Sequence, residues 1–174
     1  MSDYTTYEVR VHENGTKKWF LNGKLHHEDG PAVEEPDGAK YWYFNGVLHR
    51  EDGPAIEHPD GIKEWFLNDK RHREDGPAIE NPNGAKGWYL NGDLHREDGP
   101  AYVDPNGTKS WYLNGNLHRE DGPAYEWLDG TKQWYLNGEK LTKEEHRQRT
   151  IGQTCNGKIV EIDGIKYRLT EVAE

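Results

Sequence analysis

The sequence predicts an all-β repeat protein: an elongated antiparallel sheet of β-hairpins with a 23-residue period, finished by a short C-terminal helix and a terminal hairpin. Three observations predict it. Trp19, Trp42, Trp65, Trp88, Trp111 and Trp134 stand 23 residues apart, with no insertion in the series. Two turn signals alternate inside each unit. The segments between turns alternate, are rich in aromatic residues, and lack helical spacing. A fixed period of this size marks units that complete their cores by stacking on neighbours.

Residues 1–11 read as an N-terminal capping strand, in which Tyr7, Val9 and Val11 alternate. Residues 12–138 hold six units of roughly G-x-K-x-W-[YF]-L-N-G-x-L-H-R-E-D-G-P-A-x-E-x-P-[DN]. The first turn signal is Asn-Gly, as in Asn45-Gly46 and Asn91-Gly92. That dipeptide tolerates the positive φ angles of a type I′ hairpin. The second is Pro-Asp/Asn-Gly, as in Pro36-Asp37-Gly38 and Pro82-Asn83-Gly84. Asp-Gly-Pro-Ala breaks the chain a third time.

The turns imply a register. Folding about Asn45-Gly46 sets Tyr43 opposite Leu48 and Trp42 opposite His49. Folding about Pro36-Asp37-Gly38 sets Glu34 opposite Lys40 and Ala32 opposite Trp42, with Glu57–Lys63, Glu80–Lys86 and Glu126–Lys132 repeating the charge pair. One face then carries the Tyr/Phe and Leu series with Val33, Ile56 and Ile79, and reads as core. The other carries Trp, His, Ala and the Glu–Lys pairs, and serves either as a second packing layer or as a display surface. Two strands per unit at ~4.8 Å spacing give a sheet about 50 to 60 Å long.

Residues 139–174 read as a C-terminal cap. A helix begins near Leu141-Thr142, with Thr142 and Glu145 at capping-box spacing. A final hairpin, 158–162 and 165–169 about Asp163-Gly164, is placed to close the open edge of the sheet.

Composition narrows the function classes. Acidic residues number 32 against 22 basic, for a net charge of −10. That disfavours direct nucleic-acid binding, which needs a basic stripe, and association with an anionic membrane. The opening Met1–Glu8 stretch has no apolar run, so neither signal peptide nor membrane span is expected. Cys155 is the only cysteine, which suits a reducing cytoplasm and excludes an internal disulfide or a multi-cysteine zinc site. No cofactor is implied.

The repeated unit resembles the MORN repeat family, and more closely its bacterial and phage variant with W-Y-x-N-G-x-x-H-R-x-D-G-P-A units. The motif stands here as Trp42-Tyr43-Phe44-Asn45-Gly46-Val47-Leu48-His49-Arg50-Glu51-Asp52-Gly53-Pro54-Ala55. It recurs nearly intact from Trp88 and Trp111. Arg50, Arg73, Arg96 and Arg119 replace the glycine that MORN units usually carry after the histidine. The lipid association of MORN proteins is therefore not carried over. The resemblance implies a rod-like sheet for protein contacts, in a phage or bacterial accessory protein that binds and inhibits a host or defence protein.

His26, His49, His72, His95 and His118 repeat at a step of ~10 Å, too far apart to share a metal whose ligands sit ~2 Å away. Stacking on Trp within the unit, or bonding to a turn, accounts for them better. Glu51, Asp52, Glu74, Asp75, Glu97 and Asp98 form a recurring acidic ridge, placed either to shape turns or to imitate DNA phosphates. Catalysis is not expected, because identical residues spread along a line do not converge.

Variable positions on the fixed lattice point to a partner. Lys18, Tyr41, Glu64, Gly87, Ser110 and Gln133 precede each Trp, and Lys24, Val47, Lys70, Asp93, Asn116 and Glu139 follow each Asn-Gly or its Asn68-Asp69 variant. Their variability implies exposure. The third unit departs furthest, with Asp69 for Gly and Arg71 for Leu. Candidate protein-binding residues are Tyr41, Glu64, Asp69 and Arg71 with Trp42, Trp65, Trp88 and Trp111. A protein partner is expected. An acidic DNA mimic, a sequestering protein for a nucleotide or sugar, and self-association through sheet ends are the alternatives.

Overall fold

A computed structural model describes residues 6–155, 159–162 and 165–168. Two hairpins alternate along it. The chain begins with β1 (Glu8–Val11), β2 (Lys17–Leu21), β3 (Lys24–Leu25), β4 (Val33–Glu34), β5 (Lys40–Tyr41), β6 (Tyr43–Phe44) and β7 (Val47–Leu48); the last four recur in the next three units, and in the final unit the counterparts of β5 and β6 run together as Lys132–Leu136. Among the described residues, the main antiparallel sheet has 14 strands. It runs through β1, β2, β4 and β5, takes two strands from each later unit, and ends at Glu139–Leu141.

Both turns take the geometry their residues favour. Asn45 and Gly46 lie at φ 52° and 90°, the type I′ pattern. In the third unit Asp69 occupies the glycine position at φ 62°. Its N–H donates to the Leu48 carbonyl at 2.9 Å, and its carboxylate accepts the Leu48 N–H at 2.8 Å, which offsets the strain. At the other turn, Glu35 N–H bonds the Ala39 carbonyl at 2.9 Å, Gly38 sits at φ 96°, and Asp37 Oδ1 accepts the Ala39 N–H at 2.9 Å.

The expected register holds on both sides of the tryptophan and breaks at it. Tyr43 faces Leu48, Val33 faces Tyr41 and Glu34 faces Lys40, with Glu57–Lys63, Glu80–Lys86 and Glu126–Lys132 repeating the last. Ala32, expected opposite Trp42, instead donates its N–H to the Tyr41 carbonyl at 2.8 Å. The Trp42 N–H turns to the Ala55 carbonyl of the following strand, also at 2.8 Å. This local slip has the bond pattern of a bulge, and in the second to fifth units it separates the Asn-Gly hairpins from the main sheet as a second row. That row is bonded along its own length, for example Gly92 N–H to the Arg71 carbonyl at 2.9 Å.

The core differs from the expected aromatic face. Ala32, Ala55, Ala78, Ala101 and Ala124 are fully buried, beside Val33 and Ile56, whereas the Tyr and Trp series are half-buried. Ala32 and Val33 are consecutive, so both faces are covered there; the second face is a packing layer.

The C-terminal end is capped by helix α1 (Lys143–Cys155). The capping box forms as expected, with Thr142 N–H on Glu145 at 2.8 Å and Glu145 N–H on Thr142 Oγ1 at 3.2 Å. Buried His146 donates through Nε2 to the Arg119 carbonyl at 2.6 Å, and Arg149 pairs with Glu139 at 2.6 Å. Cys155 is the last residue of this helix. The terminal strands Ile159–Ile162 and Ile165–Arg168 pair in their own two-stranded sheet and do not extend the main one; their turn, 163–164, lies outside the described residues.

A candidate protein-binding ridge and its grooves

Asp-Gly-Pro-Ala follows each arginine, and the structure explains the sequence order. The Arg50 guanidinium lies over the Trp42 ring at 4.2 Å, and the same stack recurs for Arg73–Trp65, Arg96–Trp88 and Arg119–Trp111 at 4.1 to 4.2 Å. From there Arg50 donates through Nε to Asp52 at 2.8 Å and through Nη1 to the Pro54 carbonyl at 3.2 Å and Glu57 at 3.3 Å. The arginine thus pins the loop onto the tryptophan. A Cβ on Gly53 would sit 2.8 Å from the Arg50 Cζ, so this position is glycine for close approach, not for turn conformation. In the first unit His27 takes the arginine's place, stacked on Trp19 at 5.3 Å and bonded to the Pro31 carbonyl at 3.1 Å.

The arginine, not the expected histidine, is the Trp-stacking residue. The signal is present in the sequence: arginine three residues before a glycine, replaced once by histidine, another flat side chain with ring or guanidinium nitrogens.

The histidines bond a turn, and it belongs to the next unit. His26, His72 and His95 accept the N–H of Asn45, Asn91 and Asn114 at Nδ1, at 3.0 to 3.2 Å, and His118 does so for Asn137 at 3.1 Å. In the turns at Asn45, Asn68, Asn91 and Asn114 the asparagine Oδ1 also lies 2.9 to 3.1 Å from the Nδ1 of the preceding unit's histidine, His49 included. Each histidine therefore holds the following type I′ turn. Among the described residues, no group of three or more His, Cys, Asp or Glu side chains could hold a metal ion.

Consecutive loops leave open grooves between them. One, of about 410 Å³, runs between Glu74-Asp75 and Glu97-Asp98 over Trp88, Leu90 and His95. Its neighbours, of about 580, 640 and 740 Å³, repeat the arrangement over Trp65, Trp42 and Trp111. The two acids of each loop differ. Asp52, Asp75, Asp98 and Asp121 are each bonded by the arginine two residues before, at 2.7 to 2.8 Å. Glu51, Glu74 and Glu97 have side chains 85% exposed, and the nearest histidine nitrogen, Nε2, is 3.6 to 3.8 Å away, beyond a hydrogen bond.

Hydrogen bonds from arginine, and then its charge, hold the Asp52, Asp75 and Asp98 carboxyls below the ordinary carboxylate range; in Asp121 the same bond outweighs a small effect of burial. A depressed folded pKa stabilises the fold above the unfolded value, about 3.9, and that contribution is lost as pH falls through the folded value. The melting temperature is therefore expected to fall on acidification below about pH 4, and the quadruple Asp→Asn variant should flatten the fall. Calorimetry between pH 5 and 2.5 checks it; a wild-type curve flat over that range contradicts the assignment.

The other candidates are dispersed. Tyr41 and Glu64 lie in the main sheet, and Asp69 and Arg71 in the hairpin row. Only Glu64 and Arg71 are brought together: the carboxylate, 16% exposed, accepts Nη2 at 2.8 Å and Nε at 3.0 Å. Positions preceding each Trp are not exposed as variability implied. Lys18, Tyr41, Glu64 and Gln133 are half-buried, and Gly87 and Ser110 are buried. Of those after the Asn-Gly turns, Val47 is half-buried and the rest are exposed.

No helix among the described residues is long and apolar enough to cross a membrane. No known family model and no curated protein matches the chain.

Proposed function

We propose that this chain is a non-enzymatic protein-binding module of the MORN-like kind, and that its partner contacts the ridge formed by successive Arg-Glu-Asp-Gly loops. One observation carries the reading. The histidine, asparagine, arginine and aspartate of the repeat are used inside the fold, whereas Glu51, Glu74 and Glu97 recur unbonded at the rims of the grooves. A row of exposed carboxylates at a step of ~10 Å suits a protein surface carrying basic side chains, with the half-buried Trp and Leu of each groove supplying apolar contact. The family resemblance extends the proposal to a phage or bacterial accessory protein that blocks a host or defence protein. DNA mimicry is less well supported, since every ridge aspartate from Asp52 to Asp121 is paired with an arginine.

The test is capture of partners from native lysate by wild type and by the triple Glu51→Gln, Glu74→Gln, Glu97→Gln variant. One protein recovered in stoichiometric amount by wild type, lost with the variant and weakened by salt, is the expected result. Equal recovery by both would move the binding surface elsewhere. Recovery of the bait alone, beside a control bait that captures its partner, would count against the reading.

A further inference from the structure

The main sheet has two ends, and they are unlike. At the C-terminal end, α1 packs beside the last strands, anchored by His146 on the Arg119 carbonyl and by the Arg149–Glu139 pair. At the other end β1 is the outermost strand among the described residues, with all four residues exposed, Val9 at 50% and Val11 at 67%.

The backbone groups of β1 can be assigned. The His12 N–H bonds the Thr16 carbonyl, and Trp19 of β2 turns its N–H away from β1, to Ala32. Alternation then makes Glu8–Phe20 and Arg10–Lys18 the hydrogen-bonded pairs of β1 and β2, with Val9–Trp19 and Val11–Lys17 the non-bonded ones. The N–H and C=O groups of Val9 and Val11 therefore point outward, unpaired by the sheet. Side chains alternate independently: Glu8 and Arg10 share one face, Val9 and Val11 the other.

We propose that β1 pairs antiparallel with β1 of a second copy, about a two-fold axis through Val9, joining two chains into one continuous sheet. The register follows from charge and bonding parity. Only outward-facing residues can form the bonded pairs, so odd positions must face odd positions. Setting Val9 against the partner's Val9 places each Glu8 opposite the partner's Arg10, and Tyr7 opposite the partner's Val11. A two-residue slip one way sets Arg10 against the partner's Arg10, and the other way Glu8 against the partner's Glu8. Both slips oppose like charges. The strand is thus complementary to itself in one register, and isologous pairing of this kind closes at two chains.

Sedimentation analysis of the full chain tests this. The expected result is a reversible, concentration-dependent mass of twice the 20.1 kDa chain, because so short a strand buries little area. Val9→Pro removes only an outward N–H, and should abolish the dimer while leaving the melting temperature within about 2 °C. Glu8→Arg and Arg10→Glu should each be monomeric, since each opposes like charges, and an equimolar mixture of the two should form the mixed dimer. A wild type that stays monomeric into the high-micromolar range overturns the proposal, leaving the edge to a foreign strand. A dimer unchanged in Val9→Pro and in both charge variants overturns it too, by placing the contact elsewhere.

Discussion

Trp65→Ala is expected to lower the unfolding free energy by about 3 to 4 kcal/mol, the range for removing a large aromatic from a packed site. Trp65 sits mid-rod with its ring under the Arg73 guanidinium at 4.1 Å. Its removal leaves Arg73 without a platform, and with it the bonds to Asp75, the Pro77 carbonyl and Glu80 that hold the loop. Because each unit is stabilised through its neighbours, the damage separates two half-rods and should broaden the denaturant transition. Trp65→Phe keeps a face for the cation and should cost about 1 kcal/mol. A loss below 1 kcal/mol for the alanine variant would show that the arginine holds the loop unaided.

The second large effect is expected at a position that looked permissive. Gly87→Tyr should cost about 3 kcal/mol, because a Cβ there already meets Tyr89 Cε2 at 2.8 Å and Tyr102 Cδ2 at 3.7 Å. The same position in the second unit holds Tyr41, whose sheet neighbours are Val33 and Ile56. Gly87 faces Ile79 and Tyr102, and Ser110 faces Tyr102 and Tyr125. Large residues thus sit beside small ones along the sheet. Tyr102→Ile in the Gly87→Tyr background should restore at least half the loss. Additive losses in that double variant would refute the size compensation.

These positions show what could be read from the chain and what could not. Turn chemistry is local, so Asn45-Gly46 and Pro36-Asp37-Gly38 gave their hairpins, and the Glu34–Lys40 and Tyr43–Leu48 registers followed. The slip at Trp42 depends on bonds to two different strands, and no local rule encodes it. Variability before each Trp suggests exposure, but these positions are buried or half-buried, and the pairing of small Gly87 with large Tyr102 shows only in the sheet register. Glu64 and Arg71 depart from the repeat together for a related reason: they form one ion pair between the main sheet and the hairpin row. Arg50 on Trp42 was missed because cation stacking leaves no periodic hydrophobic signal.

The histidine-to-asparagine bonds have a direction. From Asn45 onward, each Asn turn is bonded by the histidine of the unit before it. During synthesis the earlier unit emerges first, so its imidazole is already in place when the next Asn-Gly leaves the ribosome. A hairpin forms in ~1–10 μs. At ~5–20 residues per second, translating the next 23-residue unit takes on the order of seconds. Every nascent unit thus has time to dock on a finished template before its successor appears, and the rod is built as it is translated.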